Sequence, residues 1–145
     1  KDVIPTCQEL NIGFVAFSPM ASGFLSGKYN KNTQYKGDDV RRVITRFNPE
    51  NVEKNQPLLD LLHSVAEKKG VTAAQISLAW MLHKYPHVVP IPGMRKDERV
   101  IENLGAADIE LSTEEFNNIE SELNKIKIYG NRTDEDIKKL GTVVN

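Results

Sequence analysis

The sequence predicts an α/β chain in which short parallel strands are each followed by helices. Three observations carry that expectation. Residues 12–17 form an apolar run broken only by Gly13 and bounded by Asn11 and Ser18-Pro19, the signature of a strand covered on both faces in a parallel sheet. A second short apolar segment, His87-Val88-Val89-Pro90-Ile91, closes on Pro92-Gly93. Helical spacing with N-terminal caps fills the intervals, and strand-then-helix order is the grammar of parallel α/β folds.

Each element has its own warrant. Val3, Cys7 and Leu10 lie near one face of an opening helix that Asn11 and Gly13 stop. The strand of residues 12–17 ends at Pro19. A long connection punctuated by Gly23, Gly27 and Gly37 then runs to about Glu50. Connections of that length are rare unless they carry function or short helices. The next helix is expected from Asn51 to Lys69, with Leu58, Leu59, Leu61, Leu62, Val65 and Ala66 as a broad apolar face, Pro57 marking a break or first turn that sets its regular start near Gln56, and Lys68-Lys69-Gly70 closing it.

Thr72-Ala73-Ala74-Gln75 has the form of a capping box, and the helix it starts runs through His83. Pro90 fits the end of the second strand, where a missing N–H costs nothing. Val100, Ile101 and Leu104 define a helical face after the charged run that starts at Met94. Ser112 through Glu115 caps a further helix whose Phe116, Ile119, Leu123 and Ile126 point inward, and a short helix is expected from Asp134 to Leu140. Two strands cannot cover these helical faces. Partner strands are therefore expected in another chain or in a part of the protein absent from this one.

The chain has 145 residues, 39% of them hydrophobic, with 19 basic and 20 acidic side chains and a net charge of -1. That balance gives no reason to expect nucleic acid or an anionic membrane as a partner of the whole surface. Cys7 is the only cysteine, so an internal disulfide is excluded. No apolar stretch approaches the roughly 20 residues that span a bilayer. With Lys1 and Asp2 leading directly into a mixed helical segment, no signal peptide is expected and the cytoplasm is the default location.

Nucleophile and metal patterns are weak. Ser18, Ser22 and Ser26 lack an elbow motif. His63, His83 and His87 are scattered, and Asp38-Asp39 and Glu114-Glu115 read as solvent or cap residues. Two segments carry more. The first, Phe17 to Leu25, leaves the C-terminal end of a strand, where parallel α/β folds bind ligands. Its Ser18 and Ser22 could donate to an anion, and Phe17 could face a planar ring. The second, Gly93-Met94-Arg95-Lys96-Asp97-Glu98-Arg99, sets three cations at a strand-to-helix junction, against the preference for acids in a first helical turn. Such a placement fits a bound phosphate. Arg99 and Asn103 share one helical face. On the residues alone, the first segment also reads as a turn with core aromatics and the second as a solvated charge run.

These segments, in this order, resemble the aldo-keto reductase superfamily, in particular its bacterial and plant members. Those members carry F-S-P-M/L-x-x-G-x-L-x-G and I-P-G-x-R-x-x-x-x-x-x-E-N. The matching residues are Phe17-Ser18-Pro19-Met20-Ala21-Ser22-Gly23-Phe24-Leu25-Ser26-Gly27 and Ile91-Pro92-Gly93-Met94-Arg95 through Glu102-Asn103. Between them, Gly70 to Trp80 resembles the family's helix-seven signature.

The resemblance implies that residues 1–145 are the C-terminal part of a (β/α)₈ TIM barrel, with residues 12–17 as strand seven and Val88–Ile91 as strand eight. It implies an oxidoreductase that reduces aldehydes or ketones with NADPH or NADH. Phe17 would stack on the nicotinamide, and Ser18, Met20, Ser22 and Gly23 would pass the pyrophosphate. Gly93 and Met94 stand where many mammalian members have Lys-Ser, leaving Arg95, with Lys96, to meet the 2′-phosphate. Arg99 would join Arg95 on the adenosine phosphate, Asn103 would hold the adenine, and Glu102 belongs to the same patch.

No residue of this chain matches the family's catalytic Asp, Tyr, Lys and His, which come from strands one to four. The implied partners are a small carbonyl substrate and either the upstream part of the same protein or another copy to complete the fold. The alternative is a non-enzymatic relative, such as a potassium-channel β subunit or a scaffold protein.

Overall fold

The computed structural model describes residues 2–131. The chain opens with α1 (Val3–Glu9) and turns through Asn11 into strand β1 (Phe14–Phe17). A long irregular connection follows, with 3₁₀ segments at Ala21–Ser26, Val40–Arg42 and Thr45–Phe47. Helices α2 (Pro49–Lys54), α3 (Gln56–Lys69) and α4 (Ala73–Lys84) lead to strand β2 (Val88–Ile91). Helix α5 (Asp97–Leu104), a 3₁₀ segment at Gly105–Asp108 and α6 (Thr113–Lys125) complete the order. The helix expected at 134–140 lies outside the described residues. No described helix is long and apolar enough to cross a membrane.

β1 and β2 pair in parallel, Phe14 opposite Val88 and Phe17 opposite Ile91, as the βα order requires. Two expectations need correction. The first strand is four residues long rather than six, because Gly13 and Ile12 belong to the turn that brings the Phe14 N–H to the His87 carbonyl at 2.8 Å. It is also not covered on both faces. Phe14 and Ala16 are half-buried and Val88 is buried, whereas Val15, Phe17, Val89 and Ile91 form one exposed apolar face. Helix α4 packs against β2 on the covered side, and the other face is exposed. Pro90 is the third residue of β2 rather than its end. Ladder bonds engage alternate residues, and His87 already points its carbonyl at β1. Pro90 nitrogen therefore faces the unpaired edge, where no donor is needed.

The helices form where the sequence places their caps. Thr72 and Gln75 complete a capping box at α4, and Ser112 and Glu115 complete another at α6. Pro57 sits in the first turn of α3, and Asn55 interrupts what would otherwise be one helix from α2 into α3. The core has three contiguous parts. Phe24, Ile44, Phe47, Val52 and Leu59 pack beneath the long connection. Leu62, Ala66, Ala73 and Ile76 fill the α3–α4 contact. Ala79, Leu111 and Ile119 join α4 to α6. A hydrogen bond of 2.7 Å from Trp80 Nε1 to Glu120 Oε1 and an ion pair from Lys84 to the other oxygen of Glu120 staple that last contact at its edge. Cys7, on the apolar face of α1, is half-buried.

Candidate functional site

Beyond the C-terminal ends of both strands the chain turns irregular, and the two turns face each other across a cleft of about 910 Å³. The β1 side begins with Ser18, Pro19, Met20, Ser22 and Gly23. This turn is strained: Ser18, Ala21 and Ser22 hold φ angles of 54°, 50° and 58°. Left-handed backbone costs a non-glycine residue about 1–2 kcal/mol, so the rest of the 3₁₀ segment, of which Ala21 and Ser22 are the start, must hold the turn in place. Buried Phe24 anchors that segment, and Ser26 Oγ donates to the Gly23 carbonyl at 2.7 Å. The result is a run of backbone that curls over the strand end instead of leaving it.

The β2 side contributes Gly93, Met94 and Arg95 before α5, and Arg99, Glu102 and Asn103 along one face of that helix. Here the expectation of cations in a first helical turn is corrected. Arg95 and Lys96 precede the helix, Lys96 in extended backbone at its N-cap, and Asp97 and Glu98 occupy the first turn, as the helix dipole prefers. Arg99 lies a turn further in and is ion-paired with Glu102. Arg95 has no acidic partner among the described residues.

Of the residues singled out from sequence, Ser18, Met20, Ser22, Gly23, Gly93, Arg95, Arg99, Glu102 and Asn103 line this one cleft. Phe17 and Lys96 do not. Phe17 is 68% exposed on the sheet face turned away from the helices, beside the cleft's rim, and is not buried as a core aromatic.

The third wall is the long connection from Pro19 to about Glu50, which the family resemblance implies would cover the cofactor, although the sequence singles out no binding residue in it beyond Gly23. Lys28, Tyr29, Lys36, Asp38, Asp39, Val40 and Arg41, all from the long connection, also line the cleft. Arg41 is held on every side. Its Nε and Nη2 donate to the two oxygens of Asp39 at 2.8 and 2.5 Å, its Nη1 donates to the Tyr29 hydroxyl, and its guanidinium lies 4.4 Å from the centre of the Tyr29 ring. Asp39 in turn caps the 3₁₀ segment by accepting from Arg41 N–H at 3.0 Å. Burial, and then the Arg95 guanidinium, lower the Arg41 pKa from its ordinary value. The only sequence signal for this wall is Asp-Asp-Val-Arg-Arg in a loop. With no periodicity to orient it, that stretch reads as solvated charge.

Five basic and three acidic side chains thus converge on one concave surface, with two of the arginines already held by carboxylates. Guanidiniums brought together in a cleft of this size, next to backbone curled tightly at a strand end, match the chemistry of an extended ligand carrying more than one phosphate. A single small anion would leave most of the wall unused.

Comparisons with known proteins bear on the family and the fold. The model of the Aldo/keto reductase family matches residues 1–124. A thermostable aldo-keto reductase solved with the inhibitor epalrestat is similar at 27% identity and a TM-score of 0.53, over 83% of this chain and 33% of that one. The glycerol dehydrogenase of Gluconobacter oxydans is similar at 27% identity and a TM-score of 0.73, over 92% of this chain and 40% of that one. The chain therefore spans well under half the length of these two proteins.

Proposed function

The chain belongs to the aldo/keto reductase family, and from that membership we propose that it is the C-terminal part of a (β/α)₈ barrel that reduces aldehydes or ketones to alcohols with NADPH or NADH. β1 and β2 are then strands seven and eight, and the cleft beyond their C-terminal ends is this chain's share of the cofactor site. Active sites of such barrels lie at that end. The observation that carries the reading is the convergence of Arg41, Arg95 and Arg99 on one cleft, where burial first and the Arg95 guanidinium second lower the Arg41 pKa. Like charges brought together at a cost are what a polyanionic ligand relieves.

The residues present fit such a cofactor. Arg95 and Arg99 would grip the adenosine phosphate and Asn103 the adenine edge. Ser18, Met20, Ser22 and Gly23 would border the pyrophosphate, with Arg41 and Lys28 closing over it. Phe17, at the strand end, would offer its ring to the nicotinamide. When bound, the cofactor supplies the hydride which, with a proton delivered to the carbonyl oxygen, converts the carbonyl to an alcohol. This chain's residues orient and enclose. The proton donor and its Asp, Lys and His neighbours would come from the part of the barrel outside this chain.

Isothermal titration of the full-length protein with NADPH and NADH, followed by an aldehyde-dependent NADPH-oxidation assay, tests this. Binding with turnover supports the reductase. Binding without turnover supports a non-enzymatic cofactor-binding relative, and no binding of either nucleotide overturns the cofactor reading.

A further inference from the structure

Past the end of α6, the chain returns across the long connection, where two side chains hold its backbone. Asn55, completely buried between α2 and α3, donates from Nδ2 to the Tyr129 carbonyl and accepts the Tyr129 N–H, both at 2.9 Å. Two residues on, the Thr45 hydroxyl donates to the Asn131 carbonyl at 3.2 Å and accepts the Asn131 N–H at 2.9 Å. Gly130, between them, holds a φ of 74°, and a Cβ there would stand 2.6 Å from Arg46 N and Cα. Only glycine fits so close an approach. Three consecutive residues are thus fastened to a part of the chain 74 to 86 positions earlier.

What they are fastened to leads directly to the cleft. Thr45 begins the 3₁₀ segment that ends at Phe47, and Asn51 Nδ2 holds it from below by donating to the Thr45 carbonyl at 2.8 Å. Buried Phe47 meets Tyr29 edge to face at 5.7 Å and Tyr35 at 5.5 Å. Tyr29 carries Arg41 on its ring and its hydroxyl, and its own ring lies against Gly23, where a Cβ would be 3.0 Å from Cε2.

We infer that residues 129–131 are a strap that positions the Tyr29–Arg41 wall of the cleft, with Asn55, Thr45 and Gly130 as positioning residues that never touch the ligand. The inference rests on the dinucleotide reading of that cleft. Its physical basis is preorganisation: a wall made of irregular loop must be ordered before or during binding, and order supplied by the strap is not drawn from the binding free energy.

The test uses the full-length protein carrying Gly130→Val or Thr45→Val, with Thr45→Ser as the variant that keeps the hydroxyl and Trp80→Phe as a stability control on the far side of α4. Amide hydrogen exchange is followed without cofactor, and KM for NADPH and kcat are measured with a saturating short-chain aldehyde. Exchange in residues 28–47 is expected to accelerate about tenfold or more in the two valine variants while the rest of the chain is unchanged. KM for NADPH should rise about three- to tenfold with kcat preserved. Thr45→Ser should restore both, and Trp80→Phe should move neither. If Gly130→Val does not fold, the Thr45 pair carries the test. Unchanged exchange in 28–47, acceleration spread evenly over the chain, or a fall in kcat with KM unchanged overturns the strap. Local acceleration in a protein whose wild type binds no NADPH upholds the strap and overturns the cofactor reading alone.

Discussion

Val15 and Val89 stand opposite each other in the register of the two parallel strands, and both are more than half exposed, at 61% and 57%. Valine pairs at the centre of a parallel sheet are normally covered. Ile91 continues the same bare face, Ile101 and Leu104 on α5 are bare as well, and Val3 and Leu10 leave α1 in the same condition. In the proposed closed barrel, neighbouring strands and helices would pack over these positions.

Replacement of Val15 by Asp should therefore have opposite consequences in two settings. In the isolated 145-residue chain it should reduce self-association without loss of helicity, because the side chain is exposed there. In the full-length protein it should destabilise by about 3 kcal/mol or more, since a carboxylate would enter a packed interior. Light scattering on the fragment and denaturant unfolding of the full-length protein check the two halves. The isolated chain should also fail to oxidise NADPH with any aldehyde, because the proposed proton donor to the developing alkoxide would come from the part of the barrel outside it.

Arg99→Ala in the full-length protein should weaken NADPH binding by roughly 1.5–3 kcal/mol, the range for a charge-assisted contact. Arg95→Ala should act in the same direction, and a loss confined to NADPH would put that arginine on the 2′-phosphate. Phe17→Ala should raise the dissociation constants of NADPH and NADH alike with little change in stability, since the ring sits on an open rim. Calorimetric titration with each nucleotide distinguishes these patterns, and unchanged affinity in all three variants would sink the assignment.

Gly27→Ala should destabilise by about 1–3 kcal/mol. Gly27 has a φ of 69° and its missing Cβ would lie 2.4 Å from His63 Nε2, so α3 seats its histidine on the bare backbone. Adding His63→Ala should recover the steric share of the loss and leave the backbone share. A double-mutant cycle by thermal unfolding separates the two, and full recovery would show that the left-handed backbone costs alanine nothing there.

Glu120 should contribute to acid lability. Burial by itself would raise its pKa, but hydrogen bonds from Lys84 and Trp80 outweigh that and hold the carboxyl below its ordinary value of 4.5. A carboxyl depressed in the folded state stabilises above the unfolded pKa and loses that contribution as pH falls through the folded one. Stability should thus decline below about pH 4.5, and Glu120→Gln should flatten part of that slope. An unchanged slope in the variant would exclude the α4–α6 staple as its source.

Local chemistry was enough to read the helices. The Thr72–Gln75 and Ser112–Glu115 boxes, Pro57 in the first turn of α3 and the stop at Gly70 depend on neighbours three or four residues apart, and each appears where the sequence places it. The parallel sense of the strands was legible from the strand-then-helix order, and the two segments at their C-terminal ends from their own residue patterns. Other features needed the whole fold. Arg41 reaches the cleft only because Phe47, Tyr29 and Asp39 fold an irregular loop back on itself, and no spacing in residues 28–47 encodes that path. The pairing of Asn55 with Tyr129 and of Thr45 with Asn131 joins side chains to main-chain groups more than seventy positions away, and the main-chain half carries no sequence signature. Side-chain pattern reports which face of an element is apolar. It does not report which distant backbone will meet it, nor that the bare face of β1 and β2 would find no cover among the described residues, because those are properties of how elements close on one another.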